Sequence, residues 1–103
     1  DLLAGLAVID HPGTRIGFAL EPAGGLEAAA HRKLLAKGLH AIVANPLETM
    51  EADGIDGTLL MPDGTATRPG TQPVSKPAFA GWLADQVVDL HRRRLADAGL
   101  SAS

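Results

Sequence analysis

Two lysines, Lys33 and Lys37, stand one helical turn apart in a stretch that reads as a helix from Leu26 to Lys37, and Arg32 lies beside them. Like charges at this spacing destabilise a helix by a few tenths of a kcal/mol, and an anion bound between them would make the net interaction favourable. Two ammonium groups on one helix face suit a polyphosphate, whose oxygens pair with point charges. On spacing alone, a solvated helix face also explains the pair, so the pattern by itself names no ligand.

A second candidate site is the loop after the short apolar run from Ile16 to Leu20. The run has the length and composition of a strand buried on both faces. Glu21 follows it, and Gly24-Gly25 then open the helix, whose first backbone N–H groups can bind an anion. In open α/β sheets, ligands bind outside the carboxyl ends of such strands. Phe18 could stack on a base there, or it could be an ordinary core residue.

The remaining ionisable residues favour structural roles. No metal-ligand spacing connects the four histidines, His11, His31, His40 and His91, so no metal site is predicted. Asp53, Asp56 and Asp63 each precede a glycine, a pattern that is typical of turns. Arg92 to Arg94 complement the dipole at the end of the last helix. The sequence contains neither a GxGxxG or Walker A phosphate loop nor a GxSxG hydrolase motif.

Composition limits the class of protein. The chain has 103 residues, enough for one domain, and 46% of them are apolar, which excludes a disordered chain. A net charge of −3 argues against nucleic acid as the main partner. No apolar run approaches the roughly 18 residues of a membrane span. The absence of cysteine excludes thiolate chemistry and fits a cytoplasmic location. Because the sequence begins at Asp1 rather than Met, we expect a segment of a longer protein.

The elements that must position these residues follow from the apolar pattern. Residues 1–9 read as the tail of a helix, with Leu2, Leu3, Leu6 and Ala7 on one face, ended by His11-Pro12-Gly13. A βαβ unit is predicted next. Its parts are the run from Ile16 to Leu20, the helix ended by Gly38, and a second run from His40 to Ala44.

The carboxyl half continues the pattern. A third strand is predicted from Thr58 to Met61, with an antiparallel return at Thr65 to Arg68 after a turn. Ser75 is predicted to cap a last helix that ends near Ala98. Its core-facing stripe consists of Phe79, Leu83, Val87 and Leu90.

Alternating helices and strands of this kind predict an α/β fold, a Rossmann-like partial sheet that is mostly parallel and flanked by helices. Three or four strands make a narrow sheet with an exposed edge, which again indicates part of a wider sheet, as in a fragment of a larger domain, or an oligomer. The domain is predicted over residues 1–98, with residues 99–103 as a disordered tail.

The order of the motifs resembles a known family. The first three motifs are RIGFALE at 15–21, KLLAKGL at 33–39 and AIVAN at 41–45. They are followed by TLL at 58–60 with DG at 63–64, and by SK at 75–76. This series is similar to the carboxy-terminal part of phosphopantothenoylcysteine synthetase, usually the second half of a bifunctional coenzyme A biosynthesis flavoprotein in bacteria. Asp1-Leu2-Leu3 matches the end of the family's PDIL element. The resemblance covers roughly residues 1–95.

The resemblance implies an activity in coenzyme A biosynthesis. Members of the family join 4′-phosphopantothenate to cysteine. A nucleoside triphosphate, CTP in most bacteria and ATP in eukaryotes, first activates the carboxylate as an acyl nucleotidylate, and the amine of cysteine then displaces the nucleotide. The chain would be the nucleotide-binding half of such a ligase.

The resemblance also implies which residues bind the nucleotide. Phe18, Lys33 and Lys37 match nucleotide-binding positions, and Asp1, Leu2 and Leu3 match a segment that lies against the nucleotide. The expected cofactor is Mg²⁺ on the phosphates of CTP, with ATP as the alternative and no flavin in this segment. The catalytic residues are not identified by this match.

The family's amino-terminal half, with its glycine-rich loop and lysine clamp, does not match any part of this sequence, so activity is expected only together with it. The partners would then be the nucleotide, 4′-phosphopantothenate and cysteine, and a homodimer is left open. Pro22 and His40 replace the family's threonine and aspartate, and residues 50–55 lack its Phe and Asn. A diverged, non-catalytic nucleotide-binding or interaction module is therefore the alternative.

Overall fold

A computed structural model describes residues 6–11, 13–22, 24–46, 54–70 and 73–97. The first half contains β1 (Leu6–His11), β2 (Thr14–Glu21), α1 (Leu26–Ala36) and β3 (Ala41–Pro46). The second half contains β4 (Gly54–Ile55), β5 (Thr58–Leu60), β6 (Ala66–Thr67), β7 (Val74–Ser75) and α2 (Lys76–Asp97). None of the described helices is long and apolar enough to cross a membrane. The predicted tail at 99–103 lies outside the described residues.

The main sheet has five strands in the order β1-β2-β3-β5-β6, and β4 pairs with β7 in a small separate sheet. Strands β2 and β3 are parallel, whereas β1–β2, β3–β5 and β5–β6 are antiparallel. The α/β class and the partial parallel sheet flanked by helices are confirmed. The expectation of a mostly parallel sheet is wrong. Two neighbouring strands can be parallel only if a long crossover connection joins them, and α1 provides such a crossover between β2 and β3.

The amino-terminal segment corrects a second prediction. Leu6 to His11 is not the tail of a helix but strand β1, antiparallel to β2. The register pairs His11 with Thr14, so two residues connect the strands, and Gly13 has a φ of 84°. The backbone N–H of Gly13 donates to Asp10 Oδ1 at 3.2 Å. Residues 1–5 of the predicted helix lie outside the described part of the chain.

Each helix covers one face of the sheet. Leu26, Ala30 and Leu34 of α1 pack on Ala19, Ile42, Ala44 and Leu60. On the other face, Phe79 of α2 is buried with Ile16, Val43 and Leu59. Leu83, Val87 and Leu90, the rest of the predicted stripe, pack against this second cluster. The two runs were read correctly as strands buried on both faces, since a helix lies on each side of them.

The carboxyl end of α1 is fixed by Gly38, as predicted. Gly38 has a φ of 62°, and its N–H donates to the carbonyl of Leu35 at 3.3 Å. The N–H of Leu39 donates to the carbonyl of Leu34 at 3.0 Å, and both leucine side chains are buried in the same cluster. This is a Schellman motif with its hydrophobic contact. It ends the helix and turns the chain into β3.

Helix α2 runs antiparallel to β2 and is fixed at both ends. Ser75 Oγ accepts the N–H of Ala78 at 3.2 Å, which confirms the predicted cap. Near the other end, Arg94 donates to Thr14 Oγ1, which is also hydrogen-bonded to His91 Nδ1 at 3.0 Å. Thr14 is fully buried. Both helices therefore begin at the edge of the sheet where β2 and β3 end.

Candidate functional site

The carboxyl edge of the parallel strands is the place where the fold favours a ligand. Glu21 and Pro46, the last residues of β2 and β3, are paired in register. Helix α1 begins beside them after Gly25, whose φ of 79° turns the chain and which, as a glycine, provides no side-chain cap. The first N–H groups of α1 and the positive end of its dipole therefore point to this edge.

Lys33 reaches this edge from α1. Its Nζ forms an ion pair with Glu21 Oε1, and the two side chains are 25% and 13% exposed. The partly buried pair holds the amine next to the end of β2. An anionic ligand that binds Lys33 must therefore compete with the carboxylate of Glu21. This partner was not recognised in the sequence, because nothing in the local spacing connects the two residues.

Lys37 lies one turn further along, at the end of α1. The residue is exposed, and its backbone carbonyl accepts a hydrogen bond from Arg15 Nη1 at 3.1 Å. The i, i+4 relation between the lysines, predicted from the sequence, is present because both residues belong to the continuous turns of α1 and its cap. Because Arg15 belongs to the start of β2, Lys37 lies toward the amino edge of the sheet, at the opposite end of α1 from the helix start. The described contacts do not place its amine at the carboxyl edge with Lys33.

Phe18 occupies the other face of the sheet. Its ring packs partly buried against the cluster under α2. There it lines an apolar groove of about 460 Å³ between the sheet and α2, together with Ile9, Ile16, Leu83, Val87 and Val88. The sheet separates this ring from the two lysines, so the described residues do not bring Phe18 and the amines together. Its role in base stacking stays a prediction, and its core contacts are established.

A cavity of about 380 Å³ lies at the carboxyl edge, at the start of α1, and is separate from the apolar groove under α2. It is lined by Gly25 to Ala28, Pro46, Asp56 and Arg68. The Arg68 guanidinium lies 3.6 Å from Asp56 Oδ1, so a second cation shares this edge, balanced by a carboxylate. The sequence pattern predicted Asp56 in a turn, and it contained no signal that would place Arg68 in a binding site.

Two polar atoms near the same edge are buried without a hydrogen-bond partner among the described residues, Asn45 Oδ1 and Thr58 Oγ1. Thr58 pairs with Ala44, directly before Asn45. Buried polar groups are normally satisfied by protein or by water. The edge therefore retains hydrogen-bonding capacity that the described side chains do not use.

His31, Asp63 and Arg93 have structural partners. His31 Nε2 lies 3.3 Å from the carbonyl of Pro62, which connects α1 with the turn after β5. Thr65 N–H donates to Asp63 Oδ1 at 2.8 Å, and its hydrogen bonding holds the pKa of Asp63 below its ordinary value. Arg93 pairs with Asp89 at 3.1 Å, one turn away on α2. These contacts agree with the structural roles predicted for them.

No group of three or more metal-ligating side chains occurs among the described residues. Asp1, Leu2 and Leu3, predicted to lie against a nucleotide, are outside the described residues. Their contribution stays a prediction.

A comparison with known families agrees with the motif series. Residues 1–90 match the family model of the DNA/pantothenate metabolism flavoprotein C-terminal domain. No significant match was found among curated proteins or among solved structures. The matched range includes the main sheet, α1 with both lysines, and most of α2. The chain therefore belongs to the DNA/pantothenate metabolism flavoprotein C-terminal domain family, a family of pantothenate and coenzyme A metabolism.

Proposed function

We propose that the chain is the nucleotide-binding half of a ligase that joins 4′-phosphopantothenate to cysteine through an acyl-cytidylate. The observation that carries this proposal is the family match over residues 1–90, which includes the helix with Lys33 and Lys37. The carboxyl edge of β2 and β3, where Lys33 lies, is the position at which open α/β sheets bind ligands. The proposal predicts binding of CTP, with ATP as the alternative nucleotide.

Charge supports the assignment of the two lysines. Formation of the acyl nucleotide expels pyrophosphate, so negative charge develops on the leaving phosphates. Fixed ammonium groups aimed at that charge lower the barrier, because they are already in place when the charge appears. Lys33 and Lys37 would supply this charge from one face of α1. Mg²⁺ on the phosphates would neutralise further charge when bound.

The other substrates require a partner surface. We propose that 4′-phosphopantothenate and cysteine are bound together with the family's amino-terminal half, either in the same polypeptide or in a second one. The nucleotide would then lie between that half and α1, extending from the carboxyl edge at Lys33 along the helix toward Lys37. A homodimer is compatible with this arrangement and is not needed for it.

Removal of either lysine is expected to weaken CTP binding about tenfold, since a charge-assisted hydrogen bond to phosphate contributes about 1.5 kcal/mol or more. The variants are Lys33→Ala and Lys37→Ala, measured by isothermal titration with Mg·CTP in the presence of the family's amino-terminal half. Arg32→Ala is the matched control, because it removes an equal charge from an exposed position on the same helix. Equal losses in all three variants would contradict a specific site.

Removal of the competing carboxylate is expected to have the opposite effect. Glu21→Gln releases Lys33 from its ion pair and should tighten CTP binding about threefold, the order of magnitude of a partly screened ion pair. Asp85→Asn, which changes the net charge equally at an exposed position of α2 outside the candidate site, is the control. If both variants tighten binding by the same factor, the effect is general electrostatics and Glu21 does not compete for Lys33.

A non-catalytic nucleotide-binding module is the second candidate. The ion pair of Lys33 with Glu21 favours it, because the amine already has a partner. The two functions differ in one reaction: a ligase releases CMP from CTP only when both 4′-phosphopantothenate and cysteine are present. Complementation of a ligase-deficient strain by the complete gene gives the same distinction in cells. CTP binding without CMP release would support the second candidate.

A further inference from the structure

The carboxyl end of α1 is tied to the start of β2 by reciprocal hydrogen bonds between Arg15 and the segment from Lys37 to His40. The N–H of His40 donates to the carbonyl of Arg15 at 2.9 Å. In return, the N–H of Arg15 donates to His40 Nδ1, also at 2.9 Å. The guanidinium of Arg15 then donates to the carbonyl of Lys37 at 3.1 Å. We name this set of contacts the His40–Arg15 clasp.

The clasp requires a neutral imidazole, because a protonated Nδ1 can no longer accept the N–H of Arg15. Burial holds the pKa of His40 below its ordinary value, and Arg94 and Arg15 lower it further. Asp10 of β1 acts in the opposite direction. The charged groups that act on His40 thus come from β2, α2 and β1, and the two cations dominate.

We propose that His40 is a positioning residue which, through Arg15, holds the end of α1 and Lys37 in the orientation that the nucleotide requires. This inference rests on the proposed function for its ligand, and on the described contacts for its geometry. Lys37 is the C-cap residue directly after α1, so its backbone direction depends on the turn at Gly38 and on Arg15. Loss of the Nδ1 acceptor frees the N–H of Arg15 and weakens that support.

The sign of the pH effect follows from the lowered pKa. The folded chain prefers neutral His40, so the clasp is complete at and above neutral pH. The stability that the clasp contributes is lost as the pH falls below 6.5, the ordinary pKa of histidine, and then through the lower pKa that His40 has in the folded chain. Nucleotide phosphates also titrate in this range, so the comparison must be made with a variant whose acceptor does not titrate.

His40→Asn provides that variant, because its amide oxygen can occupy the position of Nδ1 and accept the same N–H at every pH. The first measurement follows the Arg15 amide by NMR between pH 8 and pH 5 without nucleotide. We expect its hydrogen-bonded signal to be lost on acidification in the wild type, to persist in His40→Asn and to be absent in His40→Ala. An Arg15 signal that is the same in the wild type and in His40→Ala would overturn the proposal, because His40 Nδ1 would then not be its acceptor.

The second measurement is the affinity for Mg·CTP in the presence of the family's amino-terminal half. His40→Ala should weaken binding about fivefold at pH 8, equivalent to one net hydrogen bond, whereas His40→Asn should bind like the wild type. In a Lys37→Ala background, His40→Ala should have no further effect, because His40 acts through Lys37. His31→Ala is the control for loss of a histidine of α1 that lies outside the clasp.

The outcomes separate the two proposals. If His40→Ala weakens binding equally with and without Lys37, positioning through Lys37 is wrong while nucleotide binding stands. If the wild type does not bind CTP, the proposed function is overturned together with the nucleotide part of this inference, and the Arg15 titration still shows whether the clasp exists.

Discussion

Replacement of Leu34 by alanine is expected to lower the free energy of unfolding by about 3 kcal/mol. Leu34 is completely buried between α1 and the sheet, where it packs with Ile42 and Leu39. Truncation removes apolar contact and leaves a cavity that the surrounding β3 and α1 residues can fill only partly. Urea unfolding followed by circular dichroism measures the change as a shift in the midpoint at constant slope.

Leu35 provides a matched control for this prediction. It is the next residue of the same helix and has the same side chain, but it is 57% exposed. Leu35→Ala should change the free energy of unfolding by less than about 0.5 kcal/mol, because little surface leaves water there and alanine is a good helix former. Similar losses in the two variants would show that α1 is not docked on the sheet by the Leu34 face.

The result bears on the candidate site as well as on stability. The docking of α1 through Leu34 fixes where the helix lies on the sheet, and with it the positions of Lys33 and Lys37. Leu34→Ala measured under folding conditions should therefore weaken CTP binding as well, whereas Leu35→Ala should leave it unchanged. This comparison separates a loss of helix position from a loss of charge.

Gly57→Ala is expected to destabilise the chain by about 2 kcal/mol through overpacking. A Cβ at this position would lie 2.6 Å from Cζ and 2.8 Å from Cε1 of Phe79, and 3.3 Å from Cγ1 of Val43. The ring of Phe79 is 5% exposed and stacks at a tilt on Trp82, with ring centroids 5.5 Å apart. Phe79 therefore cannot move without disturbing the core under α2. Thermal unfolding should show a melting temperature lower by roughly 10 °C.

Two further variants test the cause. Gly81→Ala, on α2 where the new methyl group would meet no packed neighbour among the described residues, should raise stability by about 0.5–1 kcal/mol through helix propensity. Phe79→Leu shortens the side chain that blocks position 57, so the double variant should be less unstable than the sum of the single changes. Strict additivity of Gly57→Ala and Phe79→Leu would refute the steric explanation.

The local signals of the sequence were sufficient for most of the elements. The apolar runs at β2 and β3 are buried on both faces, and Gly38 and Ser75 have the capping roles predicted for them. Such predictions succeed because strand burial and helix ends depend on residues within a few positions of one another. The small β4–β7 sheet was missed, since its strands are two residues long and far apart in the chain.

The segment before Gly13 shows where a local signal misleads. Apolar residues at positions 2, 3, 6 and 7 fit a helical face, but Leu6 to His11 forms a strand. Its pairing with β2 provides backbone hydrogen bonds over the whole strand, and this tertiary gain overrides a weak helical pattern. A pattern of four residues contains too little information to predict that outcome.

For the candidate site, the sequence determined the family motifs, the helix that carries Lys33 and Lys37, and their separation by one turn. Only the tertiary structure decided that Glu21 pairs with Lys33, that Arg15 and His40 hold the end of α1, and that Phe18 lies on the opposite face of the sheet. The physical reason is that helix spacing is a property of neighbouring residues. Contacts across a sheet depend on strand register and on which side of a strand each side chain points.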